Sequence, residues 1–190
     1  MKVLCLYNNE CALELFEWIK EQGNEIVLCS EKLDVKWCVK SQFDLTVSYT
    51  YRYILDIVIL NALNNNVVNI HNSYLPWNRG ADPNMWSILE GTPRGVTLHY
   101  MDTTIDKGYI IAQRLVLDDE ENRTMESTYY NLDNAAKLLF KEAFQYYEYW
   151  PEMKKKAIGR GTYHSVEDGR RIKDKILTYS ISIEELKKIE

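Results

Sequence analysis

The sequence predicts an α/β domain: an open, mainly parallel twisted sheet with helices on both faces. Two observations carry this expectation. Up to His71 the chain alternates short apolar runs with amphipathic segments, β-α-β-α-β-α-β, and that alternation builds a parallel sheet with crossover helices. The first run, Lys2-Val3-Leu4-Cys5-Leu6-Tyr7, is nearly continuous in apolar residues, as a strand covered on both faces must be.

Each element follows from its residues. After the first strand (2–7), residues 10–22 form a helix whose apolar face is mostly Leu13, Phe16, Trp18 and Ile19, ended by Gly23. Residues 25–29 are a second strand, 33–40 a short helix and 45–48 a third strand. Residues 53–63, dense in Ile and Leu, predict a helix that Asn64-Asn65-Asn66 stops. Residues 67–71 form the fourth strand. A loop with two prolines and a glycine follows, then a short helix at 84–89 and a β run at 95–100. The turn from Asp102 to Gly108 leads to a strand over 108–117. Residues 124–148 form a long helix with Thr124 or Ser127 near its start, and Trp150-Pro151 closes it. The charged tail is less periodic. Ser182-x-x-Glu185 is a capping box for a last short helix over 182–188.

Length and composition narrow the function. At 190 residues the chain fits one domain, with 1–150 as its core and 151–190 as a tail packed on that core. A hydrophobic fraction of 46% and a charged fraction of 27% suit a soluble globule. A net charge of −5 argues against broad nucleic-acid affinity. Met1-Lys2 leads straight into a strand, so no signal peptide is expected. No apolar run reaches the roughly 20 residues that span a bilayer. The expectation is a cytoplasmic protein with no membrane partner. Cys5, Cys11, Cys29 and Cys38 lack metal-ligand spacing and lie in or beside apolar stretches, which suits buried reduced thiols. No metal site is expected.

Candidate chemistry gathers after the fourth strand. Side chains alternate along a strand, so Asn69 and His71 share a face where it ends. Ligands of such sheets bind beyond the carboxyl ends of the strands, where Asn8-Asn9, Thr50-Tyr51-Arg52 and residues 69–73 all lie. Taken alone, His71 reads as a core histidine satisfied by a carbonyl, and Asp106 as a turn residue before glycine. Together they supply an amide, an imidazole and a carboxylate, which acyl transfer to an amine requires. The amide and imidazole can stabilise an oxyanion, and the carboxylate can orient the imidazole and favour its charged form. His99 suits a structural role as well as an approach to the site. His164 suits a surface turn as well as a substrate contact.

The motif Asn69-x-His71-x-Ser73-x-Leu75-Pro76, then Arg79-Gly80, Gly95-Val96-Thr97 and Asp106-x-Gly108, resembles the formyltetrahydrofolate-dependent formyltransferases. The run from Leu75 to Asn84 and the late Gly161-Thr162-Tyr163-His164 are most similar to the nucleotide-linked sugar N-formyltransferases. The resemblance implies a Rossmann-like formyltransferase fold, with Asn69, His71 and Asp106 as the catalytic trio. It also implies 10-formyltetrahydrofolate as donor, with no metal. Folate contacts would come from Arg52, Tyr53, Ile54, Leu55, Thr104 and Ile105, largely through backbone groups. The acceptor would be a nucleotide-linked amino sugar, of the kind used in lipopolysaccharide O-antigen biosynthesis. Its contacts would come from Asn8, Asn9, Ser73, Trp77, Asn78, Arg79 and His164. A homodimer is compatible with this reading.

Three alternatives compete with it. A methionyl-tRNA formyltransferase is expected to carry a further C-terminal domain and a basic surface. A glycinamide ribonucleotide transformylase is expected to carry a Gly-rich phosphate loop where this chain has Tyr7-Asn8-Asn9-Glu10. A folate- or nucleotide-binding protein without turnover would not need the trio.

Overall fold

The structure is a computed structural model, and it describes residues 1–117 and 123–189. Its elements in order are β1 (Lys2–Leu6), α1 (Leu13–Glu21), β2 (Glu25–Cys29), α2 (Val35–Ser41), β3 (Leu45–Tyr49), α3 (Ile57–Ala62) and β4 (Val67–His71). There follow β5 (Arg79–Gly80), α4 (Pro83–Leu89), β6 (Gly95–Tyr100), β7 (Ile110–Leu115), α5 (Met125–Phe144) and α6 (Trp150–Met153). The tail adds β8 (Tyr163–His164), α7 (Val166–Lys173) and α8 (Ile183–Leu186). The main sheet is ordered β2-β1-β3-β4-β6-β7. Its first four strands run parallel, while β6 and β7 are antiparallel to their neighbours. The open, mainly parallel α/β sheet of the sequence is therefore present.

Strand parity sorts the core into two layers. Val3 and Cys5 of β1 pack with Leu15, Phe16 and Ile19 of α1 and Leu132 and Phe140 of α5. Leu4 and Leu6 point the other way, onto Cys38, Ile59, Leu60 and Leu63 of the α2/α3 layer. Each such fully buried aliphatic side chain contributes about 1.5–3 kcal/mol. In β4 the same parity sends Val68 and Ile70 to the α1/α5 layer and Val67 to the α2/α3 layer. Asn69 and His71 therefore continue the α2/α3 face to the strand end.

Local chemistry moves several element ends away from the sequence expectation. The helix expected over 53–63 starts only at Ile57, because the Asp56 carboxylate accepts from the N–H groups of Val58 and Ile59; residues 51–55 stay a loop. The first helix opens as a 3-10 turn, Glu10–Ala12, capped by Asn9. On α1, Leu15 is buried with Phe16 and Ile19, while Leu13 and Trp18 are only partly covered. The helix expected to reach 148 stops at Phe144, and a 3-10 turn, Tyr147–Tyr149, follows. Trp150-Pro151 opens α6 instead of closing a helix, since proline is tolerated in a first turn. The Trp150 indole is fully buried and donates to the Ala143 carbonyl at 2.9 Å. The tail also contains α7, whose Ser165–Asp168 capping box the sequence reading missed. The Ser182–Glu185 box caps α8 as expected.

The tail is bound at three places. Ile172, Ile183 and Leu186 join Met85, Ile88 and Met125 in a satellite core. Lys155 bridges to Ile110 at the start of β7. Finally, β8 pairs with β5 in a small parallel ladder, beside the loop that follows His71.

Candidate active site

Register brings the site together. Across the antiparallel β4–β6 pair, Asn69 faces His99 and His71 faces Thr97. The loop after β6 then folds back and presents Asp106 in a left-handed conformation, φ 52°. Gly108 lets this loop cross closely, since a Cβ there would lie 1.7 Å from the Tyr100 carbonyl oxygen.

Asp106 sits at the centre. Its Oδ2 accepts from the Gly80 N–H at 2.8 Å and lies 3.6 Å from His71 Nε2. Its Oδ1 lies 3.4 Å from His99 Nε2. Burial works against the carboxylate charge. His71 beside it, the hydrogen bond from His99 and the Gly80 N–H more than offset that cost and hold the carboxyl well below the usual carboxylate range.

The acceptors around the rings fix where their protons sit. His71 Nε2 is 3.0 Å from the Asn78 carbonyl and faces Asp106. Both partners only accept, so Nε2 carries hydrogen. His99 Nδ1 lies 2.8 Å from the Tyr100 carbonyl and carries hydrogen for the same reason. His99 Nε2 is 3.4 Å from both Asn69 Nδ2 and Asp106 Oδ1. A neutral His99 accepts from Asn69, and an imidazolium donates to Asp106. One amide, two imidazoles and one carboxylate therefore form a single network with little exposure. Such a group can stabilise negative charge growing on a carbonyl oxygen. The sequence left the role of His99 open; the β4–β6 register sets it opposite Asn69 and its Nε2 lies 3.4 Å from Asp106.

The loop after His71 is held from within. Ser73 Oγ donates to the Trp77 carbonyl, and Thr97 Oγ1 donates to the Ser73 carbonyl at 2.7 Å. Asn78 is fully buried; its Nδ2 donates to Thr92 at 2.7 Å and its Oδ1 accepts from Thr162 at 3.0 Å. Ser73 and Asn78, expected as substrate contacts, thus have side-chain partners within the loop, at Thr92 and in the tail. Arg79, half-buried, donates to the carbonyls of Thr162 and Arg160, and Trp77 is also half-buried. His164 stacks on Trp86 at 3.9 Å and lies 3.0 Å from Glu90 Oε1. It is packed against α4.

The loops after β1 and β3 are also tied. Asn8 Oδ1 accepts from the Arg52 N–H at 2.9 Å, and Asn8 Nδ2 donates to the Ser30 carbonyl at 2.8 Å. Asn9 Oδ1 accepts from the Cys11 N–H at 3.0 Å. Both amides, expected as acceptor contacts, are hydrogen-bonded to the frame. Thr50 is left-handed, φ 64°, which costs a residue with a Cβ roughly 1–2 kcal/mol. Past it, Leu55 is buried, whereas Ile54 is 73% exposed and Arg52 lies over the Tyr53 ring. Among the described residues, the peptide groups of 53–55 form no hydrogen bond with another segment. Thr104 and Ile105 are exposed on the Asp106 loop. A cavity of about 240 Å³ lies against Leu33, Tyr51, Tyr53, Ile54, Leu55 and Ile59. Asn69, His71 and Asp106 do not line it.

Comparison with known proteins bears directly on this arrangement. Residues 28–143 match a family described as formyl transferase. A crystal structure of the formyltransferase PseJ from Anoxybacillus kamchatkensis is 32% identical, covers 100% of both chains and superposes with a TM-score of 0.85. That protein was crystallised with UDP-4,6-dideoxy-4-formamido-L-AltNAc and tetrahydrofolate. The dTDP-4-amino-4,6-dideoxyglucose formyltransferase of Mycobacterium bovis is 34% identical over 76 residues, 40% of this chain and 32% of that protein. The methionyl-tRNA formyltransferase of Listeria innocua is 36% identical over 87 residues, 45% of this chain and 28% of that protein. The matched part thus spans about a third or less of each of these two curated relatives.

Proposed function

The chain belongs to the formyl transferase family, and from that premise we propose that it transfers a formyl group from 10-formyltetrahydrofolate to the amine of a nucleotide-linked amino sugar. The observation that carries this reading is the full-length likeness to PseJ, whose own complex holds a UDP-linked formamido sugar and tetrahydrofolate. The likeness to the methionyl-tRNA enzyme covers less than half of this chain.

Residues 51–55 fit a folate. The peptide groups of 53–55, uncommitted to another segment among the described residues, suit the polar edge of a pterin, and Tyr53 and Leu55 offer apolar surface beside them. Thr104 and Ile105 complete the donor side from the Asp106 loop. Trp77 and Arg79, half-buried at the loop after His71, remain the candidates for the acceptor side.

In the reaction, the neutral sugar amine attacks the formyl carbon. A C–N bond forms and the carbonyl π pair moves to oxygen. Asn69 Nδ2–H and the His71 ring, as an imidazolium, stabilise that oxyanion. Collapse breaks the bond from the formyl carbon to N10, and one proton passes in net from the amine to N10. Asp106, bonded by the Gly80 N–H and set beside both rings, keeps His71 aligned and offsets positive charge on the ring.

A matched pair of acceptors tests the substrate class: one amino sugar with its nucleotide and without it. Binding energy from a remote nucleotide positions the amine, so kcat/KM should fall by a factor on the order of a thousand without it. Equal reactivity of the free sugar would remove the nucleotide from recognition.

A further inference from the structure

Asn8 follows the middle strand of the run β2-β1-β3. From that position one side chain reaches both neighbouring strand ends. Its Nδ2 holds the Ser30 carbonyl after β2, and its Oδ1 holds the Arg52 N–H after β3. Thr50 Oγ1 returns the contact, accepting from the Asn9 N–H at 3.1 Å and facing the Asn8 N–H at 3.4 Å.

We propose that Asn8 and Thr50 are positioning residues for the formyl donor, clasping the loop after β1 to the loop after β3 so that residues 53–55 keep their peptide groups free. This rests on the function proposed above. The sequence of 53–63 favours helix, yet α3 begins only at Ile57. Two restraints oppose the earlier start. The Asp56 side chain caps α3 from below, and the clasp fixes Thr50 left-handed and pins Arg52 from above. A helix begun at Tyr53 would draw the carbonyls of 53–55 into intrahelical bonds and withdraw them from a ligand. The clasp touches neither Asn69, His71 nor Asp106, so its effect belongs to donor binding and not to the chemical step.

The test uses Asn8→Ala and Thr50→Ser, with amide hydrogen exchange at Arg52 and steady-state kinetics for both substrates. A net hydrogen bond contributes a factor of roughly two to ten. In Asn8→Ala, Arg52 exchange and the KM for 10-formyltetrahydrofolate should each rise by a factor in that range. The acceptor KM and kcat should stay within about twofold, below the expected donor effect. Thr50→Ser keeps the hydroxyl and should match the wild type on every readout. Unchanged Arg52 exchange, or an unchanged donor KM, overturns the proposal. So does a parallel rise in both KM values with a lower melting temperature, the mark of general loosening. A wild-type protein that turns over no formyl donor overturns the proposed function instead, and Arg52 exchange still reports whether the clasp exists.

Discussion

Asp106 is charged because of what surrounds it. Burial alone would neutralise it, but His71, His99 and the Gly80 N–H hold its carboxyl below the usual range. The folded chain therefore releases this proton more readily than the unfolded chain. The resulting stability is complete above the ordinary aspartate pKa of roughly 4 and is lost as pH falls below it. Asp106→Asn removes that term, so urea denaturation at a series of acidic pH values should show a shallower loss of stability in the variant. Its turnover at neutral pH should fall as well. Parallel stability curves with unchanged turnover would leave Asp106 as a turn residue only. At this scale the sequence was partly legible. Strand parity alone puts Asn69 and His71 on one face. Asp106 was visible only through the order of the motif, since Asp before Gly is common in turns. His99 depends on the β4–β6 register, which no local pattern encodes. Asn8, Asn9, Ser73 and Asn78 look like ligand contacts because polar loop residues usually face solvent; in the fold the first three bond backbone groups, and Asn78 bonds the Thr92 and Thr162 hydroxyls.

The small β5–β8 ladder transmits the tail to the site. Asn78 offers its carbonyl to His71 Nε2, and its side chain is gripped by Thr92 and Thr162. Gly161 makes that grip possible. It is left-handed at φ 61°, and a Cβ there would lie 1.8 Å from the Pro76 carbonyl oxygen. Gly161→Ala must push the two segments apart, at a cost of roughly 2 kcal/mol or more. Urea unfolding should show that loss, and kcat should fall as the Asn78 carbonyl shifts from His71. Wild-type stability and kcat together would show that the tail does not brace the site. Regular elements with strong periodicity, β1 to β4 and β6, were legible in the sequence. The early start assigned to α3 was not corrected by propensity, because Asp56 and Thr50 act through specific hydrogen bonds. The helix α7 was hidden in a charged stretch with few apolar residues, where Ser165-x-x-Asp168 was the only signal.

At the scale of the whole molecule, the site lies where the sheet changes direction. β4 runs parallel to β3 and antiparallel to β6, and the carboxyl end of β4 carries His71. Around this switch lie the loops 51–55 and 102–106, proposed for the donor, and the loop 72–80, whose end pairs with the tail. The central claim is that a formyl group crosses between them to a sugar amine. The most direct measurement mixes the protein with 10-formyltetrahydrofolate and a UDP-linked 4-amino sugar, and follows both products by mass spectrometry. The wild type should give the sugar formamide and tetrahydrofolate in equal amounts, and His71→Asn should cut the rate by about a hundredfold or more. Tetrahydrofolate released without a formylated sugar, or formyl passed to methionyl-tRNA or glycinamide ribonucleotide in place of the sugar, would contradict the account.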